Sequence, residues 1–86
     1  MKSWSTQFAS DIIRDGLGVE LLTRDGDIVA EVFRSDANHT VRVSCWSDAV
    51  TQDVLDWLLQ CSLEPLDTFE DGTPLPPISK WPVTRQ

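Results

Sequence analysis

Three short apolar runs with period-two alternation, Leu17 to Thr23, Ile28 to Arg34 and Val41 to Trp46, constrain the fold of this chain more than any other feature. Each is of strand length and rich in Val, Ile, Leu or Phe, and together they read as an antiparallel meander. Between the first two lies Arg24-Asp25-Gly26-Asp27, where Asp-Gly supplies the two positive-φ positions of a tight type I′ turn. Pairing outward from that turn sets Thr23 against Ile28, Leu21 against Ala30 and Val19 against Val32. Leu17, Val19, Leu21, Ile28, Ala30 and Val32 then share one face, because a strand alternates its side chains. Closing the Ser35 to Thr40 loop with Arg34 opposite Val41 brings Val43 to Val32 and Cys45 to Ala30, which extends that face as the core.

The other face collects Glu20, Leu22, Val29, Glu31, Phe33, Arg42, Ser44 and Trp46, a half-apolar set. In this register Arg42 lies beside Phe33 and near Glu31 and Glu20, relieving the like-charge pairing of the two glutamates. Its apolar members need either cover from the termini or a partner.

After the third run the period changes from two to 3.6, which predicts a helix over about 49–63. Val50, Val54, Trp57, Leu58 and Cys61 form one side, widened by Leu55 and Leu59, opposite Gln52, Asp53, Asp56 and Gln60. Asp48 or Thr51 caps the start. With Thr51 as cap, Val50 and Leu55 stand as a hydrophobic staple, and Pro65 ends the helix. The stripe fits a helix laid on the core face, with Trp57 and Leu58 against Val19, Val32 and Val43.

From Pro65 onward five prolines exclude most regular structure, apart from a turn at Asp71-Gly72. Leu66, Phe69, Leu75, Ile78 and Trp81 nonetheless give this segment an apolar content that solvated tails lack. It either wraps back over Leu22, Val29, Phe33 and Trp46, or presents Leu75-Pro76-Pro77-Ile78 and Lys80-Trp81-Pro82 to a partner groove.

Before the meander, Trp4, Phe8 and Ile12 have helical spacing with Ser3 or Ser5 as cap, while Ile12-Ile13 directly before Asp15-Gly16 favours a short strand over about 11–14. That strand would pair Ile12 with Val19 and Ile13 with Gly18; the glycine there marks a bulge or a close approach by another backbone or a ring. The expectation is an α+β fold: a three- or four-stranded antiparallel meander (about 11–14, 17–23, 28–34, 41–46) with one helix on its core face and a Pro-rich extended tail. Residues 1–66 form a single small domain, and 67–86 a C-terminal segment packed back on it or partly disordered.

The length of 86 residues suits one marginal core and excludes a second domain. No apolar run approaches the roughly 20 residues of a membrane span. Met1-Lys2 followed by Ser-Trp-Ser-Thr-Gln does not read as a secretory signal, so the protein is expected in the cytoplasm. Cys45 on the core face and Cys61 on the helix's apolar side read as two buried, unlinked thiols. A net charge of −7 argues against nucleic acid, whose affinity rests on Lys and Arg neutralising phosphates.

The candidates for chemistry are few. His39 has Asp36 nearby but no further His or Cys to complete a metal site, and no companion for a hydrolytic triad. Asp25 and Asp27 lack the spacing of a calcium loop, and Glu20 with Glu31 reads as part of a salt bridge rather than an acid–base pair. No catalytic, cofactor-binding or metal residue is assigned. The expected role is a non-enzymatic protein–protein interaction module or homodimer, without nucleic acid, membrane or cofactor. Its candidate surface is Leu22, Val29, Phe33, Arg42, Trp46, Leu75, Ile78 and Trp81. The competing reading is an acidic inhibitor or immunity-type protein that blocks a basic partner by charge complementarity.

Overall fold

The computed structural model describes residues 4–86; the expectations for Met1, Lys2 and Ser3 lie outside these. Four strands run antiparallel in chain order, β1 (Ser5–Asp11), β2 (Gly16–Leu22), β3 (Ile28–Ser35) and β4 (Thr40–Cys45). The helix α1 (Gln52–Leu66) follows, then a 3-10 turn (Ile78–Lys80) and a short strand β5 (Val83–Arg85) that pairs parallel to β4. The long connection through α1 is what allows that parallel pairing, since a parallel neighbour needs a crossover. The result is an α+β fold with a sheet of order β1-β2-β3-β4-β5.

The central register is the one dictated by the apolar alternation. Val19 pairs with Val32, Leu21 with Ala30, Val32 with Val43, Ala30 with Cys45 and Arg34 with Val41. The β2–β3 turn departs from expectation in a specific way. Only Gly26 has positive φ, at 88°, Gly26 N–H donates to Thr23 O at 3.0 Å, and Thr23 N–H donates to Asp27 O at 2.9 Å. This is a three-residue loop ending in a left-handed glycine, not a type I′ turn. It pairs Thr23 with Asp27, one residue short of the expected Ile28, and a bulge between Leu21 and Leu22 restores the frame of the sheet body. Leu22 therefore pairs with Ile28, and Ile28 leaves the core face at 45% exposure. Asp71-Gly72 makes the same kind of turn, with Gly72 at φ 88°, Gly72 N–H on Phe69 O at 2.8 Å and Phe69 N–H on Thr73 O at 2.9 Å.

The first strand lies earlier than 11–14. Phe8 pairs with Val19 and Ala9 with Gly18, where Ile12 and Ile13 were expected, and Ser5 is a strand residue rather than a cap. Ile12 and Ile13 occupy the turn to β2 and are 93% and 97% exposed. Asp15, at φ 52°, takes the left-handed position of that turn, which Asp tolerates better than a β-branched residue. Strand Ser5–Asp11 is wet on both faces, so it carries no apolar alternation to betray it.

Helix α1 begins and ends three residues later than the periodicity suggests. Thr51 is its cap: its Oγ1 accepts from Val54 N–H at 3.3 Å, and Val50 and Leu55 are both buried beside it. Pro65 does not end the helix but lies in its last turn. The chain turns away at Asp67, φ 52°, whose N–H donates to Leu63 O at 3.0 Å. The buried stripe is Val54, Leu55, Leu58, Leu59, Ser62 and Leu66; of the two side chains expected against the sheet, Leu58 is fully buried, whereas Trp57 is only half-buried at the flank. Cys45 is buried, Cys61 partly exposed, and both are free thiols.

The tail completes the core on the helix side of the sheet instead of covering the other face. Phe69 and Trp81 are buried with Leu66 among the core side chains, and Leu75 and Ile78 pack against them. Trp81 Nε1–H donates to Pro76 O at 2.8 Å, satisfying the one polar group that its burial would strand. Arg34, on the core face, ties the same region down by donating to Leu66 O and Thr68 O, both at 2.6 Å, and pairing with Asp36 at 3.1 Å. No helix among the described residues is long and apolar enough to cross a membrane.

Candidate functional site: the open face of the sheet

The face turned away from α1 is shaped by two glycines. A Cβ on Gly16 would stand 2.6 Å from the Phe33 ring and 2.0 Å from Arg34 O. One on Gly18 would stand 2.6 Å from Glu31 Oε2. The Gly16-Leu17-Gly18 sequence thus seats a ring and a carboxylate side by side against the strand. At Gly18 the close neighbour is the Glu31 carboxylate rather than the backbone or ring expected there; the ring and a backbone oxygen make their approach at Gly16.

Arg14 closes over both. It reaches from the β1–β2 turn to bind Glu31 with two parallel hydrogen bonds of 2.9 Å, donates through Nε to Asp11 at 2.6 Å, and lies 3.9 Å above the Phe33 ring centre. Bidentate Arg–carboxylate geometry of this kind fixes orientation as well as charge. The Glu31 and Asp11 carboxylates together hold the guanidinium's pKa above its ordinary value, and the Arg14 contacts hold Asp11 below its own. Sequence register pointed to Arg42 as the cation for Glu31. Arg42 does pair with Phe33 along the ladder, but it is exposed and forms no ion pair among the described residues. Glu20 accepts from Gln7 at 2.8 Å.

Between Arg14 and Arg42 lies a cleft of about 360 Å³, lined by Phe33, Ser35, Asn38, Thr40 and Ser44 along with Glu31. The arrangement offers an exposed guanidinium, a row of hydroxyls and an amide, and one aromatic edge. Trp46, 45% exposed, stands further along the same face with half-buried Leu22. Of the eight residues singled out in the sequence, Leu22, Phe33, Arg42 and Trp46 are therefore gathered here, whereas Val29, the extra residue of the β3 bulge, packs against the core. Leu75 and Ile78 pack against the core on the other side, and Trp81, at 4% exposure, is interior. Trp81 cannot serve as a docking side chain in this fold.

His39 is remote in role from the cleft. Its Nε2 is 2.8 Å from Asp71 Oδ2 and its ring meets Phe69 edge-on at 4.8 Å. Thr73, through backbone and hydroxyl, and then His39 lower the Asp71 pKa to about 2. Asp15, Asp36 and Glu70 bring carboxylate oxygens within 4.8 Å of one another nearby. Asp36 already accepts from Arg34 and from Glu70 N–H, so this cluster is tied into the fold. No Ser or Cys side chain hydrogen-bonds His39 among the described residues. No family model, curated protein or solved structure matches the chain.

Proposed function

We propose that the protein is a non-enzymatic protein-interaction module, and that its open sheet face receives a partner segment carrying a carboxylate beside an apolar side chain. The observation that carries this reading is Arg42: in a chain of net charge −7 it is exposed, without an ion pair among the described residues, at the rim of a cleft lined by hydroxyls and Phe33. A carboxylate would dock on the guanidinium and the Thr40 or Ser44 hydroxyl, and an apolar neighbour on Phe33 or Trp46. Selection of a random peptide library on the folded protein tests it. Enriched peptides should share an Asp, Glu or free C-terminus next to an aliphatic or aromatic residue, and should bind R42E or W46A at least tenfold more weakly. Peptides without a carboxylate, or equal binding to R42E, would refute it.

A second reading, an acidic inhibitor of a basic partner, draws support from the cleft walled by Asp15, Asp36, Glu70 and Asp71. Salt distinguishes the two. A complex made through that acidic end weakens steeply between low and moderate ionic strength, whereas apolar docking at Trp46 does not.

A further inference from the structure

The two edges of the sheet are treated differently. The β4 edge is closed by β5, with Val43 N–H donating to Pro82 O at 2.9 Å and Gln86 N–H to Cys45 O at 2.9 Å. The β1 edge has no neighbour among the described residues. Its hydrogen-bonding phase follows from the ladder. Asp36 N–H donates to Asp15 O, which makes Gly16–Ser35 a non-hydrogen-bonded pair and turns the backbone groups of Gly16, Gly18, Glu20 and Leu22 toward β1. Ser5, Gln7, Ala9 and Asp11 answer them, so the N–H and C=O groups of Thr6, Phe8 and Ser10 point outward, unpaired.

Natural edges are usually blunted by Lys, Pro or a bulge. Strand β1, Ser-Thr-Gln-Phe-Ala-Ser-Asp, has none of these in its seven residues. Its single charge, Asp11, is neutralised by Arg14 at 2.6 Å. It also presents Phe8, 67% exposed, beside a groove formed with Val19, Cys61 and Pro65.

We propose that β1 is a self-association edge, at which a second copy of this chain adds its own β1 antiparallel about a two-fold axis at Phe8. The strand is self-complementary in that register. Phe8 faces Phe8, Thr6 faces Ser10, Gln7 faces Ala9 and Ser5 faces Asp11, so every residue of β1 meets a residue of β1 and no like charges oppose. Phe8–Phe8 and Thr6–Ser10 are the pairs whose open backbone groups meet, each exchanging both of its bonds. The exposed Ile12 of one copy is carried toward Trp4 of the other. This inference stands apart from the open-face reading, since β1 contributes nothing to the Arg42 cleft.

A single strand pair buries less than the roughly 1,200 Å² of a standard interface, so the association is weak and is read by sedimentation from about 10 µM to 1 mM protein. The mass should double across that range, and the amides of Thr6, Phe8 and Ser10 should gain exchange protection with concentration. F8D and F8K should each stay monomeric, and their equimolar mixture should recover the dimer, because only this register places residue 8 opposite residue 8. Phe8 is exposed, so both variants keep the fold, and the amide measurement needs no variant. A monomer at 1 mM, a dimer that persists in F8D, or a dimer without protection at Thr6, Phe8 and Ser10 would overturn the proposal. W46A should leave the dimer intact; loss of the dimer in W46A would move the interface to the open face.

Discussion

The Arg14–Glu31 pair is the best-defined polar device in the molecule, and removing one partner at a time tests what it contributes. Arg14→Met leaves the Glu31 carboxylate, whose side chain is 8% exposed, without its two 2.9 Å donors. Orphaning a fully buried charge costs about 3–5 kcal/mol. Arg14 is itself 49% exposed, so water reaches Glu31 once the guanidinium is gone, and the expected loss falls to about 2 kcal/mol. Removing the cation stacked 3.9 Å over Phe33 adds about 0.5 kcal/mol. Glu31→Gln keeps the shape and one acceptor, and costs about 1 kcal/mol because Arg14 retains Asp11. The double variant should therefore fall short of the summed losses by about 1–2 kcal/mol, a direct measure of the coupling. Urea unfolding followed by tryptophan fluorescence at low protein concentration provides the assay. The slope for a chain of this size is about 1 kcal/mol/M, so Arg14→Met should lower the midpoint by about 2 M. Additivity within about 0.3 kcal/mol would refute the argument, since it would mean that the two side chains do not share their stabilisation.

Gly16→Ala should destabilise more than Gly18→Ala in the same assay. The first brings a Cβ against backbone Arg34 O, whereas the second meets only side-chain atoms of Glu31, which can turn aside; Gly18→Ala should, however, abolish most of the Arg14–Glu31 coupling. Trp81→Ala should cost about 3–5 kcal/mol by thermal melting, as for a buried aromatic, and a loss below about 1 kcal/mol would show that the tail is not part of the core. Asp71 has a folded pKa of about 2 against an ordinary 3.8, so its contribution is complete above about pH 4 and is lost as pH falls toward 2. Asp71→Asn should flatten that part of the stability profile, measured as the urea midpoint between pH 5 and about 2, and an unchanged profile would contradict the lowered value.

The core-face register of β2, β3 and β4 was legible because each residue there has one admissible side: slipping Val19, Ala30, Val32 or Val43 by one position would expose the whole set. The sequence offered Asp48 and Thr51 as caps, and Thr51, the one that brings Val50 and Leu55 into staple positions, is the one used. Other features had no such constraint. Strand β1 is exposed on both faces, and the apolar pair beside it, Ile12-Ile13, pulled the expected strand into what is the turn. The Asp25-Gly26 signal fixed the presence of a hairpin but not its loop length, because a left-handed glycine serves a three-residue loop as well as a type I′ turn. Strand β5, three residues among prolines, carries no periodicity at all.

The candidate site was half legible for a related reason. Ladder pairing names the neighbours of a strand residue, and it placed Arg42 beside Phe33 correctly. It says nothing of a long side chain arriving from a turn, which is how Arg14 takes Glu31 and leaves Arg42 without an ion pair among the described residues. The unused signal was the Gly16-Leu17-Gly18 spacing, since two glycines on one strand face leave room for something large above them, whereas Gly16 next to Asp15 reads only as a turn residue.

This division of labour bears on how the two proposed surfaces combine. Directly opposed residues in an antiparallel pair project to the same side of a sheet, so pairing through β1 would place both α1 helices on one side and both Arg42 clefts on the other. The two clefts would then face the same way across a continuous sheet, each over β3 and β4 of its own copy. A partner displaying two acidic docking segments would engage both, and the second contact would form at the effective concentration set by the spacing rather than by bulk supply. Weak strand pairing and weak cleft binding would in that case reinforce one another: F8D should reduce the affinity for a two-segment ligand while leaving that for a one-segment ligand unchanged. Equal effects on both ligands would show that the edge and the face are not separate surfaces.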